Sequence, residues 1–258
     1  YYLKNGYVAD DRTNESVART LEFALSDYCI AQMAKALGKT ADYEDLMRRA
    51  KNYRYLYNPK TKLFQARNAD GSWAGEHSGF TEGANWTYQF CVMQDVQGLI
   101  DLMGGNESFA AALDNVFDNG HYRHDNEPGH HYVYLYNYCG RFDKAQERIP
   151  EILETHYRNG ADGLSGNDDC GQMSAWYLFS SLGFYPVTPA SGEYALGIPR
   201  FPSARVELPH GKVLTVRAEG LKEHRHLPVI LFNGKKLDAP FIAIRDLMKG
   251  GVLEFKAE

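Results

Sequence analysis

Two hydrophobic periods divide this chain. As far as Leu182 apolar residues recur mainly at three- and four-residue spacing, whereas past Tyr194 they alternate or run in short blocks. The first spacing lines one face of a helix and the second lines one face of a strand. The chain is therefore expected to be mainly α, with a helical body over residues 1–193 and a small antiparallel β module over 194–258. No internal repeat of fixed period is evident.

Within the body, Val17, Leu21, Ala24, Leu25, Tyr28, Cys29, Met33 and Leu37 predict a helix over 15–37, closed by Gly38. Thr40 is placed to cap a second helix, which Asn58-Pro59 stops near Tyr57. Residues 59–80 read as an irregular or hairpin connection, and a third helix is expected over 82–103. A fourth runs from an Asn106 cap to about Phe117. After a loop over 119–131 rich in Asn, Gly and His, helical patterns return at 131–139 and 143–157. A second polar loop, 159–168, leads to a last helix from about Asp169 to Leu182. In the β module, Val206/Leu208, Leu214/Val216, Val229–Phe232, Phe241/Ile242/Ile244 and Val252/Leu253/Phe255 mark strands. Asn233-Gly234 is a two-residue hairpin turn before Lys235.

Composition narrows the function. With 28 basic and 33 acidic side chains in 258 residues the net charge is -5, and no basic face of the kind nucleic acid demands is visible. No apolar run reaches the roughly 18 residues of a membrane span. The 18 Tyr against 13 Phe suit either polar clefts that hold hydroxylated ligands or the seams between helices. Cys29, Cys91, Cys139 and Cys170 are far apart, which argues against a zinc knuckle or redox motif and leaves disulfides open. The chain opens at Tyr1 without an initiator Met or a signal-like segment, and reads as a piece of a longer protein.

Three polar clusters could carry chemistry. Thr81-Glu82-Gly83-Ala84-Asn85-Trp86 sets a carboxylate and a flat indole at the start of the expected third helix; a first-turn Glu with a core Trp is the plainer alternative. Four of the nine histidines fall in His121–His131. Their spacing matches no common zinc set, while Asn126 and Glu127 offer the hard oxygens that calcium takes. The same stretch also reads as a hydrogen-bonded loop. Gly166-Asn167-Asp168-Asp169-Cys170-Gly171-Gln172 puts two acids, flanked by glycines, before the last helix, as caps or as a ligand-facing loop. Separated carboxylates suit glycoside hydrolysis, which needs an acid and a base about 5–5.5 Å apart for retention or 6.5–9.5 Å for inversion.

The stretch Gly166-Asn-Asp-Asp-Cys-Gly-Gln-Met-Ser-Ala-Trp-Tyr-Leu-Phe-Ser-Ser-Leu-Gly-Phe-Tyr-Pro186 strongly resembles the alpha-mannosidases of glycoside hydrolase family 92. So do Asn126-Glu127-Pro128 with His130-His131, Tyr134-Leu-Tyr-Asn137, and Leu21-Glu-Phe-Ala-Leu with Ala31-Gln-Met-Ala-Lys-Ala-Leu-Gly38. The resemblance spans roughly residues 15–200. It implies a calcium-dependent, exo-acting enzyme that removes alpha-linked mannose from glycans, through alpha-1,2 or related linkages, with inversion. The fold it implies pairs an N-terminal β-sandwich, absent from this chain, with an (α/α)6 barrel, a helical toroid of which 1–193 would be the C-terminal part. By position, Glu82 matches the general acid and Asp169 the base that activates water. Asn85, Trp86, His130, His131, Asp168 and Gln172 fall at the sugar, and Asn126 and Glu127 at the calcium. The family also implies a periplasmic or secreted setting.

This chain departs from the family pattern in three places. Ala84-Asn85-Trp86 reverses the family's Asn-Ala order and shifts an amide. Met93-Gln94-Asp95 replaces Pro-His-Asp, removing an imidazole, and Asn167 stands where some members carry a second Asp. With the β-sandwich and first barrel helices missing, the piece alone is expected to hold the catalytic carboxylates in an incomplete cleft and to be inactive. A non-catalytic glycan-binding module or a structural helical domain is the alternative.

Overall fold

The computed structural model describes residues 1–257, which gather into two compact units. The first comprises Tyr1–Tyr122 with Thr188–Ser191, and the second Arg123–Val187 with Gly192 onward.

Unit 1 is helical. After the short α1 (Tyr2–Asn5), α2 (Ser16–Ala36) turns Val17, Leu21, Ala24, Ala31 and Ala34 into the core. Gly38, at φ +69°, reverses the chain into α3 (Thr40–Arg49). Tyr43, Leu46 and Met47 pack on Ala31 and Ala34. Arg49 grips Asp27 with both ends of its guanidinium, Nη2 at 2.7 Å and Nε at 3.2 Å, and the Tyr2 hydroxyl donates to the same carboxylate at 2.8 Å. This charge-assisted fork joins the two helices.

The second helix does not reach Tyr57 as its pattern suggested. It ends at Arg49, and a 3-10 turn over Asn52–Leu56 buries Tyr53 and Leu56 before β1 (Tyr57–Asn58) pairs with β2 (Leu63–Phe64). The expected helix over 82–103 also breaks, into α4 (Asn85–Tyr88), a 3-10 turn at Met93–Asp95, and α5 (Val96–Leu102). Phe90, Cys91 and Val92 are buried in succession, which a one-sided helix cannot do. Asp95 then starts α5 afresh by accepting from the Gly98 amide at 3.2 Å. α6 (Asn106–Asp118) agrees with its pattern to within a residue.

In unit 2 the expected helix at 131–139 is a 3-10 segment, Tyr132–Cys139, whose residues are buried on nearly every side. α7 (Phe142–Thr155) and α8 (Gln172–Leu182) follow, the latter starting three residues later than the pattern suggested. Gly183, at φ +87°, ends α8. β3 (Phe184–Tyr185), β4 (Glu193–Leu196) and β9 (Phe241–Ala243) form an antiparallel sheet in the order β3-β4-β9. A five-stranded sheet, β5-β6-β10-β7-β8, uses β5 (Ser203–Leu208), β6 (Lys212–Glu219), β7 (Val229–Phe232), β8 (Lys235–Lys236) and β10 (Gly251–Lys256). Its ladders are antiparallel except β6 with β10, which is parallel. Asn233 and Gly234, both at positive φ, make the β7–β8 turn.

Many tyrosines fill seams: Tyr53, Tyr132, Tyr134 and Tyr136 are wholly enclosed. Among the described residues no disulfide links the four cysteines. Among the described residues, no helix is long and apolar enough to cross a membrane.

Candidate active site

Each unit presents one sequence-predicted carboxylate from a left-handed backbone corner. Glu82 has φ +50° and Asp169 φ +47°, a region that costs a side-chain-bearing residue roughly 1–2 kcal/mol. Such strain persists only where surrounding contacts enforce it.

In unit 1 the segment before α4 is held by local side chains. The Tyr88 hydroxyl donates to the Thr81 carbonyl at 2.7 Å, its ring packs 5.6 Å from Phe80, and the Ala84 amide donates to Thr87 Oγ1 at 3.3 Å. Glu82 thus precedes a single helical turn rather than heading a long helix. The Asn85 side chain accepts from the Trp86 amide at 2.9 Å. Trp86 stacks on His121 at 4.5 Å and 6°, so one face of its indole is already covered. Gln94, where the family pattern has an imidazole, donates to the Ala50 carbonyl at 3.1 Å. Its Oε1 is buried without a partner among the described residues.

In unit 2 the two polar loops meet. A Cβ on Gly166 would stand 2.3 Å from the Asp125 carbonyl oxygen, so only glycine permits the approach. This contact brings the chain before Asn126 against the chain before Asn167. Asn126 accepts from the Glu127 amide at 3.0 Å, opening a 3-10 turn over Glu127–Gly129 whose first carbonyl accepts from the His130 amide at 3.0 Å.

His130 and His131 are buried. His130 Nε2 lies 3.0 Å from the His124 carbonyl, which can only accept, so Nε2 carries the proton. Gln172 Nε2 then donates to His130 Nδ1 at 3.2 Å, and also to the Tyr185 hydroxyl at 3.2 Å. Burial lowers the His130 pKa, against the pull of the Glu127, Asp169 and Asp125 charges. Its neighbour His124 is pushed down to about 2, chiefly by burial and then by His130 and His156. Trp176 closes the cluster, donating from Nε1 to the His130 carbonyl at 2.8 Å and stacking on Tyr157. Burial raises the Tyr185 pKa to about 12, against the lowering effect of the Gln172 hydrogen bond.

Asp168 and Asp169 differ sharply. Both oxygens of Asp168 accept from one residue, Ser174: from its amide at 2.9 Å and its hydroxyl at 3.0 Å. Asp169 is exposed, and among the described residues its carboxylate takes no hydrogen bond. It can therefore accept a proton from a bound water. Sequence reasoning missed the Ser174 contact, the Gly166–Asp125 approach and the part of Tyr185. Only the six-residue step from Asp168 to Ser174 across a helix start could have signalled the first.

Calcium takes six to eight oxygen ligands. Asn126 and Glu127 are oxygen donors of the right hardness, yet Asn126 Oδ1 already accepts from a backbone amide. Among the described residues, no group of three or more His, Cys, Asp or Glu is placed to hold a metal. The two residues can supply part of a calcium shell and no more.

The family model for the glycosyl hydrolase family 92 catalytic domain matches residues 1–258. A protein of Arthroderma benhamiae described as an uncharacterized secreted glycosidase is 28% identical over 281 residues, covering 96% of this chain and 36% of its own. A solved family 92 alpha-mannosidase of Bacteroides thetaiotaomicron superposes with TM-score 0.94 at 41% identity, over 99% of this chain and 36% of that one. A family 92 inverting mannosidase of the same organism gives 0.92 at 34%, over 99% and 39%. The chain thus spans little more than a third of the relatives it matches. By the family model and these likenesses, the chain belongs to glycoside hydrolase family 92.

Proposed function

We propose that the protein containing this chain is an exo-acting alpha-mannosidase that cleaves alpha-1,2 or related linkages of mannose-containing glycans with inversion. The observation that carries this reading is the pairing of a tethered Asp168 with an exposed, unbonded Asp169 at a strained corner. The solved relatives, described as an alpha-mannosidase and an inverting mannosidase, support the substrate and the stereochemistry.

In this mechanism Asp169 takes a proton from water as the water oxygen bonds to C1 of the mannose. Glu82 gives its proton to the glycosidic oxygen as the C1–O bond breaks, so Asp169 ends protonated and Glu82 ionised. Asn85 and Trp86 contact the sugar. Gln172, with its N–H groups turned to His130 and Tyr185, keeps its carbonyl for a hydroxyl. His130, His131 and Asp168 support these contacts. Asn126 and Glu127 would contribute to a calcium site, and calcium when bound supplies a hard dication for sugar hydroxyls.

The remaining expectations form part of the same proposal: residues 1–193 as the C-terminal part of an (α/α)6 barrel, 194–258 as an appended β module, and an N-terminal β-sandwich elsewhere in the protein. A periplasmic or secreted setting draws support from the relative described as secreted. Gln94, whose amide donates to Ala50, favours the second reading, a domain that holds glycan without cleaving it.

The test is hydrolysis of alpha-linked mannobiosides by the full-length protein, with the anomer followed by NMR. Release of β-mannose that chelation, Asp169→Asn and Glu82→Gln each suppress is the expected result. A folded protein that binds these sugars without cleaving any would move the non-catalytic reading to first place.

A further inference from the structure

Asp169, Cys170 and Gly171 are all left-handed, at φ +47°, +59° and +94°, immediately before the right-handed α8. Glycine adopts this region freely, but the two residues before it do not. Local backbone bonds are long here: Gln172 N to Asp169 O is 3.2 Å and Met173 N to Asp168 O is 3.3 Å. The firmer restraint is the Asp168 carboxylate, which closes a ring on Ser174 through both oxygens. Ser174 lies in the first turn of α8, between Met173 and Trp176, which are 1% and 0% exposed. The clamp thus ties the strained run to the best-packed part of the helix.

We propose that Ser174 is a positioning residue: by holding Asp168, it sets the left-handed run that presents the Asp169 carboxylate to water. The assignment rests on the reading of Asp169 as the base. Ser174 is itself exposed, so truncating its hydroxyl removes one hydrogen bond and little packing. A plain helix cap would affect stability and leave turnover alone, whereas a positioning residue governs the reactive geometry, where small displacements cost rate.

The experiment uses the full-length protein with Ser174→Ala and Ser174→Thr, read by kcat and KM on a mannobioside, by melting, and by crystal structures of both variants. Ser174→Ala is expected to lower kcat about tenfold with KM within about twofold, and Ser174→Thr to restore it. The Ala variant should also show residues 169–171 relaxed, with the Asp169 carboxylate displaced. Unchanged kcat, or a Thr variant no better than the Ala variant, would overturn the proposal. Full turnover by Asp169→Asn would instead remove the base assignment. The crystal structures would then decide the clamp alone: a relaxed run in Ser174→Ala upholds it, and an undisturbed run overturns it.

Discussion

The two corners solve one problem with different means. Glu82 sits in a stretch with little regular structure, held by Tyr88 and Thr87 from a helix of a single turn. Asp169 begins a run of three left-handed residues braced by a carboxylate clamp onto an 11-residue helix. An isolated turn has little cooperativity of its own, whereas a packed helix conveys the stability of the core to its end. A strained corner is held by whatever lies next to it. Near Asp169 that is the packed helix, so disturbances within unit 2 should reach the carboxylate.

The largest expected contrast is chemical. In the full-length protein Asp169→Asn should lower kcat by about 10²–10⁴-fold on every mannoside. Glu82→Gln should do the same on mannobiosides, but far less on aryl mannosides, whose leaving group needs no proton. Equal losses on both substrates would remove the acid assignment from Glu82.

Next comes the loop contact. Gly166→Ala forces a methyl against the Asp125 carbonyl and should destabilise unit 2 by about 2–3 kcal/mol. In unit 1, Gly75→Ala meets open space and should stay within about 0.5 kcal/mol, as denaturant unfolding would show.

Acid should also separate the units. The buried histidines His124, His130 and His131 all belong to unit 2. His124 stays neutral in the fold down to about pH 2, while in the unfolded chain it binds a proton below about 6.5. Its depressed pKa therefore leaves stability intact above 6.5 and erodes it as the pH falls towards 2, by about 2 kcal/mol at pH 5. Burial depresses His130 and His156 in the same direction. His124→Gln should start less stable at pH 7.5 and lose less on acidification. A parallel decline in both proteins would refute the assignment.

The smallest effect should come from Cys170→Gly, which relieves a left-handed side chain and should raise stability by about 0.5–1 kcal/mol. A lower melting temperature would mean that the exposed Cys170 side chain makes a contact worth more than its strain.

Much of the scaffold was legible in periodicity. α2, α6 and α7 each bury one face, and Asn233-Gly234 marked its own turn. The stretch 82–103 was not, because Phe90–Val92 are buried in succession and Asp95 restarts the helix. Nor was Tyr132–Cys139, where near-total burial erases the period that separates a 3-10 from an α-helix. At the site, the residue types were readable and their partners were not: Asp168 and Asp169 look alike as letters.

The family is carried by a long motif that names residue types in order, and the boundary between helix and strand by the change in apolar period. Tertiary structure decided which acid is tied and which is exposed, which nitrogen of His130 carries the proton, and that two polar loops touch at Gly166. Periodicity reports which face of an element is apolar. Tethering, tautomer and close approach depend on the atoms that arrive from elsewhere in the chain, and packing alone brings them.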